Sequence, residues 1–269
     1  MLIILRDIPK EQAQIDLTLF PIQGGFRGFQ NVPSGVHYVS VLADEKQCGE
    51  WLYIQDADQV VIRVFNSDQL CFEDDDPESA ADFKELALSG AMNKALITYP
   101  MQNHAQWIAL TSYIGIGAEQ FPPILHTNLS ADDPIAVGLS SKNRFEKVFV
   151  NNHTENMQSF LAEFQFAFLL FSIHNEGEAK DKGFERWKHL VLATYNAGER
   201  TICQWPDLFV KLTSILMAQL KLLPDDMFTS DSFLCVQAKY LAEDMQDSGI
   251  KEAVTQGKAF RAYMQQRMK

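Results

Sequence analysis

Motifs that position reactive groups are missing from this chain. There is no G-x-x-x-x-G-K-[ST] phosphate loop, no G-x-G-x-x-G, no G-x-S-x-G and no H-E-x-x-H. No two histidines stand three to five residues apart, so the sequence encodes no local metal-ligand spacing. Cysteine is sparse. Cys48, Cys71, Cys203 and Cys235 are far apart and form no C-x-x-C pair, which argues against a zinc ribbon or a dithiol redox site and for buried free thiols. Long apolar runs are missing too. The longest, Phe166–Phe171, falls far short of the roughly 20 residues that cross a bilayer. The apolar start Met1–Leu5 closes at Arg6-Asp7 and reads as a strand, not a secretory leader. The expected location is therefore intracellular, in the cytoplasm with the nucleus also open to it. No cofactor and no membrane partner are expected.

Positive charge is in deficit. The chain has 23 Lys and Arg against 35 Asp and Glu, a net charge of −12. Phosphate contacts need clustered cations, so direct nucleic-acid binding is disfavoured. The acidity is mostly amino-terminal, with 9 Lys and Arg against 19 Asp and Glu in residues 1–145. The densest acidic run, Glu73–Asp76, reads as a solvated loop rather than a metal site. The carboxy-terminal helix is the one basic stretch, with Lys251, Lys258, Arg261, Arg267 and Lys269.

What is present suffices for two cores: 269 residues, 46% of them hydrophobic. The first hundred residues read mostly as strands. Leu2–Leu5, Val36–Leu42, Trp51–Ile54 and Val60–Phe65 are rich in β-branched and aromatic residues and are punctuated by Gly and Pro. Short strands at such intervals suggest an antiparallel sandwich or barrel. Pro77 with Glu78 suits a helix start, predicting a helix to about Leu88. A second is expected over Asn103–Ile114, with Trp107, Leu110 and Ile114 at helical spacing.

From Asn152 the pattern is helical to the end. Asn152 with Glu155 three residues on resembles an N-cap pair. Phe160, Phe164, Phe168 and Phe171 share one helix face, and Phe166, Leu169 and Leu170 cover a second, so this helix is expected in the centre of a domain. A polar loop over 174–183 precedes a helix from Phe184 to Asn196 that closes at Gly198. Further helices are expected from Pro206 to Leu220, from Ser230 or Asp231 to Met245, and from Glu252 to Met268. The fold class is α+β in two domains: a β-rich domain over 1–118, a linker or wrapping segment over 119–150, and an all-α domain over 151–269.

Five residues are candidates for partner contact: Arg27, His37, Trp107, Arg186 and Trp187. Arg27, between aromatic residues, suits a partner carboxylate; a solvated strand-edge arginine fits equally. His37 in an apolar strand suits a hydrogen-bonded packing histidine, and Trp107 and Trp187 suit helix cores. An enzyme built from dispersed His37, His104 and Glu163 is the minor alternative, and it requires those groups to converge in a deep pocket.

Three segments together resemble the A1 cistron-splicing factor family. The first is Ile15-Asp16, Gly25-Phe-Arg-Gly-Phe29 and Val32-Pro-Ser-Gly-Val-His-Tyr38. The second is Tyr99-Pro100 with Trp107-Ile-Ala-Leu-Thr-Ser112. The third is Glu163-Phe-Gln-Phe-Ala-Phe168, Phe184-Glu-Arg-Trp-Lys-His-Leu190, Leu212–Leu216 with Gln219-Leu220, and Pro224–Phe228. Gly25 stands where the family usually has Lys, and Ser34 where it has Pro. The resemblance implies a β-rich domain followed by a helical one and no catalytic residues. It also implies an assembly factor that binds the RNase H-like domain of the U5 scaffold protein. The alternative is the same fold serving an unknown protein partner in an organism without a spliceosome.

Overall fold

The computed structural model describes residues 1–56, 58–115, 145–173 and 177–268. The chain divides into two compact units, Met1–Ile108 and Ala109–Lys269. The expected boundary after residue 118 and most of the expected linker lie outside the described residues.

The first unit is a two-sheet β-structure flanked by one helix. Its strands are β1 (Leu2–Arg6), β2 (Gln12–Ile15), β3 (Thr18–Pro21), β4 (Gly28–Gln30), β5 (Gly35–Ala43), β6 (Lys46–Ile54), β7 (Val60–Asn66), β8 (Cys71–Asp74) and β9 (Leu96–Thr98). One sheet has the order β3-β2-β5-β6 and is antiparallel throughout. The other, β8-β7-β1-β4-β9, is mixed, because β1 pairs with β7 and β4 with β9 in parallel. The antiparallel expectation thus holds for one sheet of the sandwich. Parallel pairs need long crossovers, and the stretches between their partner strands supply them.

The two faces of β1 explain its unbroken apolar sequence. Ile3 and Leu5 enter the core shared with Phe29, Val39, Val41, Leu52, Ile54 and Phe65 from both sheets. Ile4 points the other way, into a second cluster with Ala87, Leu96 and Phe83. Ala87 and Phe83 belong to α1 (Pro77–Leu88), which starts where Pro77 predicts. Asp76 caps it: one carboxylate oxygen accepts from the amides of Glu78 at 3.0 Å and Ser79 at 3.3 Å. A strand covered on both faces carries no polar alternation. Hairpin geometry follows from local chemistry. Asp44 and Glu45, joining β5 to β6, both have positive φ, as a two-residue turn with the right twist demands. Helix α2 (His104–Thr111) is shorter than the expected Asn103–Ile114.

The second unit is helical. Phe145 and Glu146 open a wide π-type turn over Lys147–Asn152, within which Val148 and Phe149 are buried. The helices that follow are α3 (Met157–Ile173), α4 (Glu178–Tyr195), α5 (Glu199–Gln204), α6 (Pro206–Leu220), α7 (Phe233–Val236), α8 (Ala238–Asp247) and α9 (Lys251–Arg267). The central position expected of the Phe-rich helix is met. Phe160, Phe164 and Phe168 of α3 are fully buried, and Phe168 and Phe171 pack on Trp187 of α4 at ring distances of 5.3 and 5.8 Å. At its start, Phe160 joins Phe145, Phe149 and Phe209 in an edge-to-face and tilted cluster.

Three local expectations need correction. The cap of α3 is Asn156, whose side chain accepts from the Ser159 amide at 3.0 Å; Asn152 lies in the preceding turn. Helix α4 begins at Glu178, so Lys180–Gly183 is helical rather than loop. Gly183 is there because α3 and α4 cross closely: a Cβ would stand 2.8 Å from Leu170 Cβ and 3.0 Å from the Ala167 carbonyl. The helix expected to run from Ser230 or Asp231 to Met245 is broken at Gln237 into α7 and α8. Of the four free cysteines, Cys48 and Cys235 are buried and Cys203 is exposed.

Gly28 gives the sharpest packing test. Its φ is +132°, and a Cβ would sit 1.9 Å from the Ile3 carbonyl oxygen across the β1–β4 pair. Gly28→Ala is expected to destabilise the first unit by about 2–5 kcal/mol. Gly24→Ala, where a Cβ meets nothing, is expected to stay within about 0.5 kcal/mol of the parent. Urea unfolding of both variants checks the contrast.

Candidate functional site

Three of the motif segments of the first unit, those holding Asp16, His37–Tyr38 and Tyr99, meet at one carboxylate. Asp16 occupies the two-residue turn between β2 and β3 with φ +52°, a conformation Asp tolerates better than most residues. One of its oxygens accepts from the Tyr38 amide at 2.9 Å. The other faces His37 Nδ1 at 2.8 Å and accepts from the Tyr99 hydroxyl at 2.7 Å. His37 Nε2 lies 3.0 Å from the Pro33 carbonyl, so both ring nitrogens are engaged. Burial, then the Asp16 charge, then their hydrogen bond hold Tyr99 protonated far above the ordinary phenol range. Trp107 donates from Nε1 to the Val36 carbonyl at 2.6 Å and stacks on Trp51 at 6.2 Å. Residues 15–16, 32–38, 99 and 107 are thus brought together by the fold.

The second unit repeats the arrangement with different residues. Glu163 on α3 receives Arg186 of α4 through two parallel bonds, Nε at 2.7 Å and Nη2 at 2.8 Å. His153 Nε2 lies 2.7 Å from one of the same oxygens, and its Nδ1 is 2.9 Å from the Ser159 hydroxyl. Burial alone raises the Glu163 carboxyl. The hydrogen bonds from His153 and Arg186 outweigh it and leave the group below its ordinary value. Beside this pair, Trp187 donates to Gln219 Oε1 at 2.8 Å, and Gln219 donates to the Phe164 carbonyl at 3.1 Å. This relay ties α3, α4 and α6 together.

These placements reassign most of the candidate contacts. His37, Trp107, Arg186 and Trp187 are all at most 2% exposed, and each side chain makes its bonds inside its own unit. Arg27 alone of the five is exposed. Of the groups of the dispersed-enzyme alternative, both His37 nitrogens and both Glu163 oxygens have partners, whereas His104 lies with its ring 5.7 Å from Tyr99 and its buried Nδ1 makes no hydrogen bond among the described residues.

Around Arg27 the surface is concave. The turn Gln23–Phe26 closes with the Phe26 amide donating to the Gln23 carbonyl at 3.1 Å, and Gly25 takes φ +94°, the third position of a type II turn. On one side is a cleft of about 550 Å³ lined by Phe20, Pro21, the turn and Lys94–Ile97. On the other is one of about 420 Å³ lined by Asp7, Ile8, Lys10, Ile22, the turn and Arg27. The Arg27 amide donates to the Ala95 carbonyl at 2.8 Å, which fixes its backbone while its side chain stays in solvent. Arg27 belongs to a sequence motif, but Lys10 and Lys94 do not: Lys94 reaches the turn through the β4–β9 pair and Lys10 through the β2–β3 pair.

A β-sheet unit and a helical unit, each organised around a buried hydrogen-bonded carboxylate, define a two-domain α+β architecture. Its family is identified by comparison. Residues 1–125 match the AAR2 N-terminal domain and residues 137–269 match the AAR2 C-terminal repeat region. The chain belongs to the AAR2 family of splicing-related assembly factors, a family that is not catalytic. No curated protein sequence matches it significantly.

Removing one member of the Glu163 pair leaves a buried charge uncompensated. Arg186→Met is expected to destabilise the helical unit by about 3–5 kcal/mol, with Glu163→Leu/Arg186→Met recovering part of the loss. Denaturant unfolding followed by far-ultraviolet circular dichroism reads both. The pH dependence has a defined sign. Folding lowers the Glu163 carboxyl, so its contribution is complete above the free-chain value of about 4.3 and is lost as pH falls through the lower folded value. The acid limb of a stability–pH profile should therefore be shallower in Glu163→Gln than in the parent.

Proposed function

We propose that this protein is a non-enzymatic assembly factor that binds the RNase H-like domain of the U5 scaffold protein inside the cell. It occupies that domain until assembly and so delays its engagement with RNA and with the helicase partner. The observation that carries this reading is the family match over both parts of the chain, residues 1–125 and 137–269. The buried state of the motif residues is compatible with it, since a binding protein needs rigid units whose surfaces are presented in one geometry. The cleft beside Arg27 supplies concave surface for such a role.

The test uses the purified full chain and the purified RNase H-like domain from the scaffold protein of the same organism. Size-exclusion chromatography is expected to give an equimolar complex, and the chain is expected to lower RNA binding by that domain. A domain that elutes alone and binds RNA unchanged, or a source genome without the scaffold protein, would overturn the proposal.

A further inference from the structure

The turn Gln23–Phe26 stands between two clefts whose charge runs against the rest of its unit. Residues 1–108 hold seven Lys and Arg against sixteen Asp and Glu. Three of those seven cations, Lys10, Arg27 and Lys94, line the two clefts, with Asp7 as the single acid. All three are exposed, and among the described residues no carboxylate pairs with any of them. The other cations of the unit that have ion pairs in this structure, Arg6 and Arg63, are matched to Asp75 and to Glu50 and Asp74. Between the free cations the walls are apolar, with Phe20 and Phe26 partly exposed.

Gly24 supplies an independent observation. Gly25 needs its glycine for φ and Gly28 for space, but Gly24 needs neither. Its φ is not positive, and a Cβ there would meet nothing within 4 Å. A glycine with no internal reason, on the ridge between two open clefts, leaves room for another backbone to approach closely.

We infer that this ridge and its two clefts form a docking site for an extended peptide segment of a protein partner, one in which carboxylate side chains flank an apolar side chain. The apolar residue enters the cleft beside Phe20 and Phe26. The carboxylates meet Lys94 on one side and Lys10 and Arg27 on the other, and the peptide backbone passes over Gly24. Charge complementarity selects this occupant: a basic ligand is repelled by the three cations that line the clefts, and three cations are too few to hold a phosphate-rich one. A second copy of the chain is disfavoured because the two copies would each carry a net charge of −12 and repel one another. The assignment deepens the proposed partner-binding role and rests on the partner being a protein.

The test is selection from a displayed library of randomised 12-residue peptides on the immobilised full chain, followed by fluorescence anisotropy of the enriched peptides. Two variants are compared after unfolding curves confirm their folds: Gly24→Leu, which blocks the ridge, and Arg27→Glu/Lys94→Glu, which reverses the charge. The expected result is enrichment of peptides carrying Asp or Glu beside a large apolar residue, with affinity falling at least about tenfold in each variant. No such enrichment, or affinity that both variants leave unchanged, would overturn the inference. The outcome is separable from the scaffold test. Peptide selection without binding of the RNase H-like domain keeps the cleft and removes the scaffold reading. Binding of that domain without peptide selection does the reverse.

Discussion

A carboxylate taken out of water must be matched by donors, or the site does not form. Each unit of this protein is organised around one such group. Asp16 gathers a backbone amide, an imidazole and a phenol from two stretches of the first unit. Glu163 gathers a guanidinium and an imidazole from two stretches of the second. The apolar contacts around them are more numerous, but they are non-directional and tolerate substitution when volume is kept. The carboxylates do not. Their geometry fixes which turn lies beside which strand, and which face of α4 meets α3. The aromatic rings then fill the space that this register leaves.

The same constraint explains why motif and surface are different sets of residues. Asp16, His37, Tyr99, Trp107, Glu163, Arg186 and Trp187 all belong to segments that carry the family resemblance, and all are buried. Arg27 lies in the same first motif but on the solvent side of β4. The residues beside it, Lys10 and Lys94, come from outside every motif. A sequence motif in a binding protein can therefore mark the framework that positions a surface while most of the surface chemistry lies elsewhere.

Legibility in the sequence followed the length and clarity of each pattern. β1, β5 and β7 were readable because they are long apolar or β-branched runs, and α1 because proline, acids and an aspartate cap mark its start. The short strands β2, β3, β4, β8 and β9 have three or four residues each and no propensity strong enough to stand out. They exist because a neighbouring strand supplies hydrogen-bond partners. The start of α4 was hidden by Gly183, which reads as a helix breaker in isolation and is a crossing point in the packed unit. The sequence reading takes Asn152 as the cap of α3, whereas Asn156, four residues on, supplies it. Only the packing of Phe145 and Phe149 decides between them, because it commits the earlier one to the π-type turn. Lys10 and Lys94 carry no sequence signature, since their proximity to Arg27 is a product of strand pairing.

Substituting a buried motif residue removes a partner from a desolvated charge, so the unit loosens and every surface it carries loosens with it. Loss of binding in such a variant reports on folding. The exposed residues Gln23, Gly24, Arg27 and Lys94 behave oppositely: they lie outside the core, and the β4–β9 pair and the Gln23–Phe26 turn hold the backbone beneath them. A binding defect there, with the unfolding transition unmoved, reports on contact. The buried carboxylates and the open turn thus separate two kinds of evidence that the motif resemblance alone would merge, because burial decides which of them a given substitution can supply.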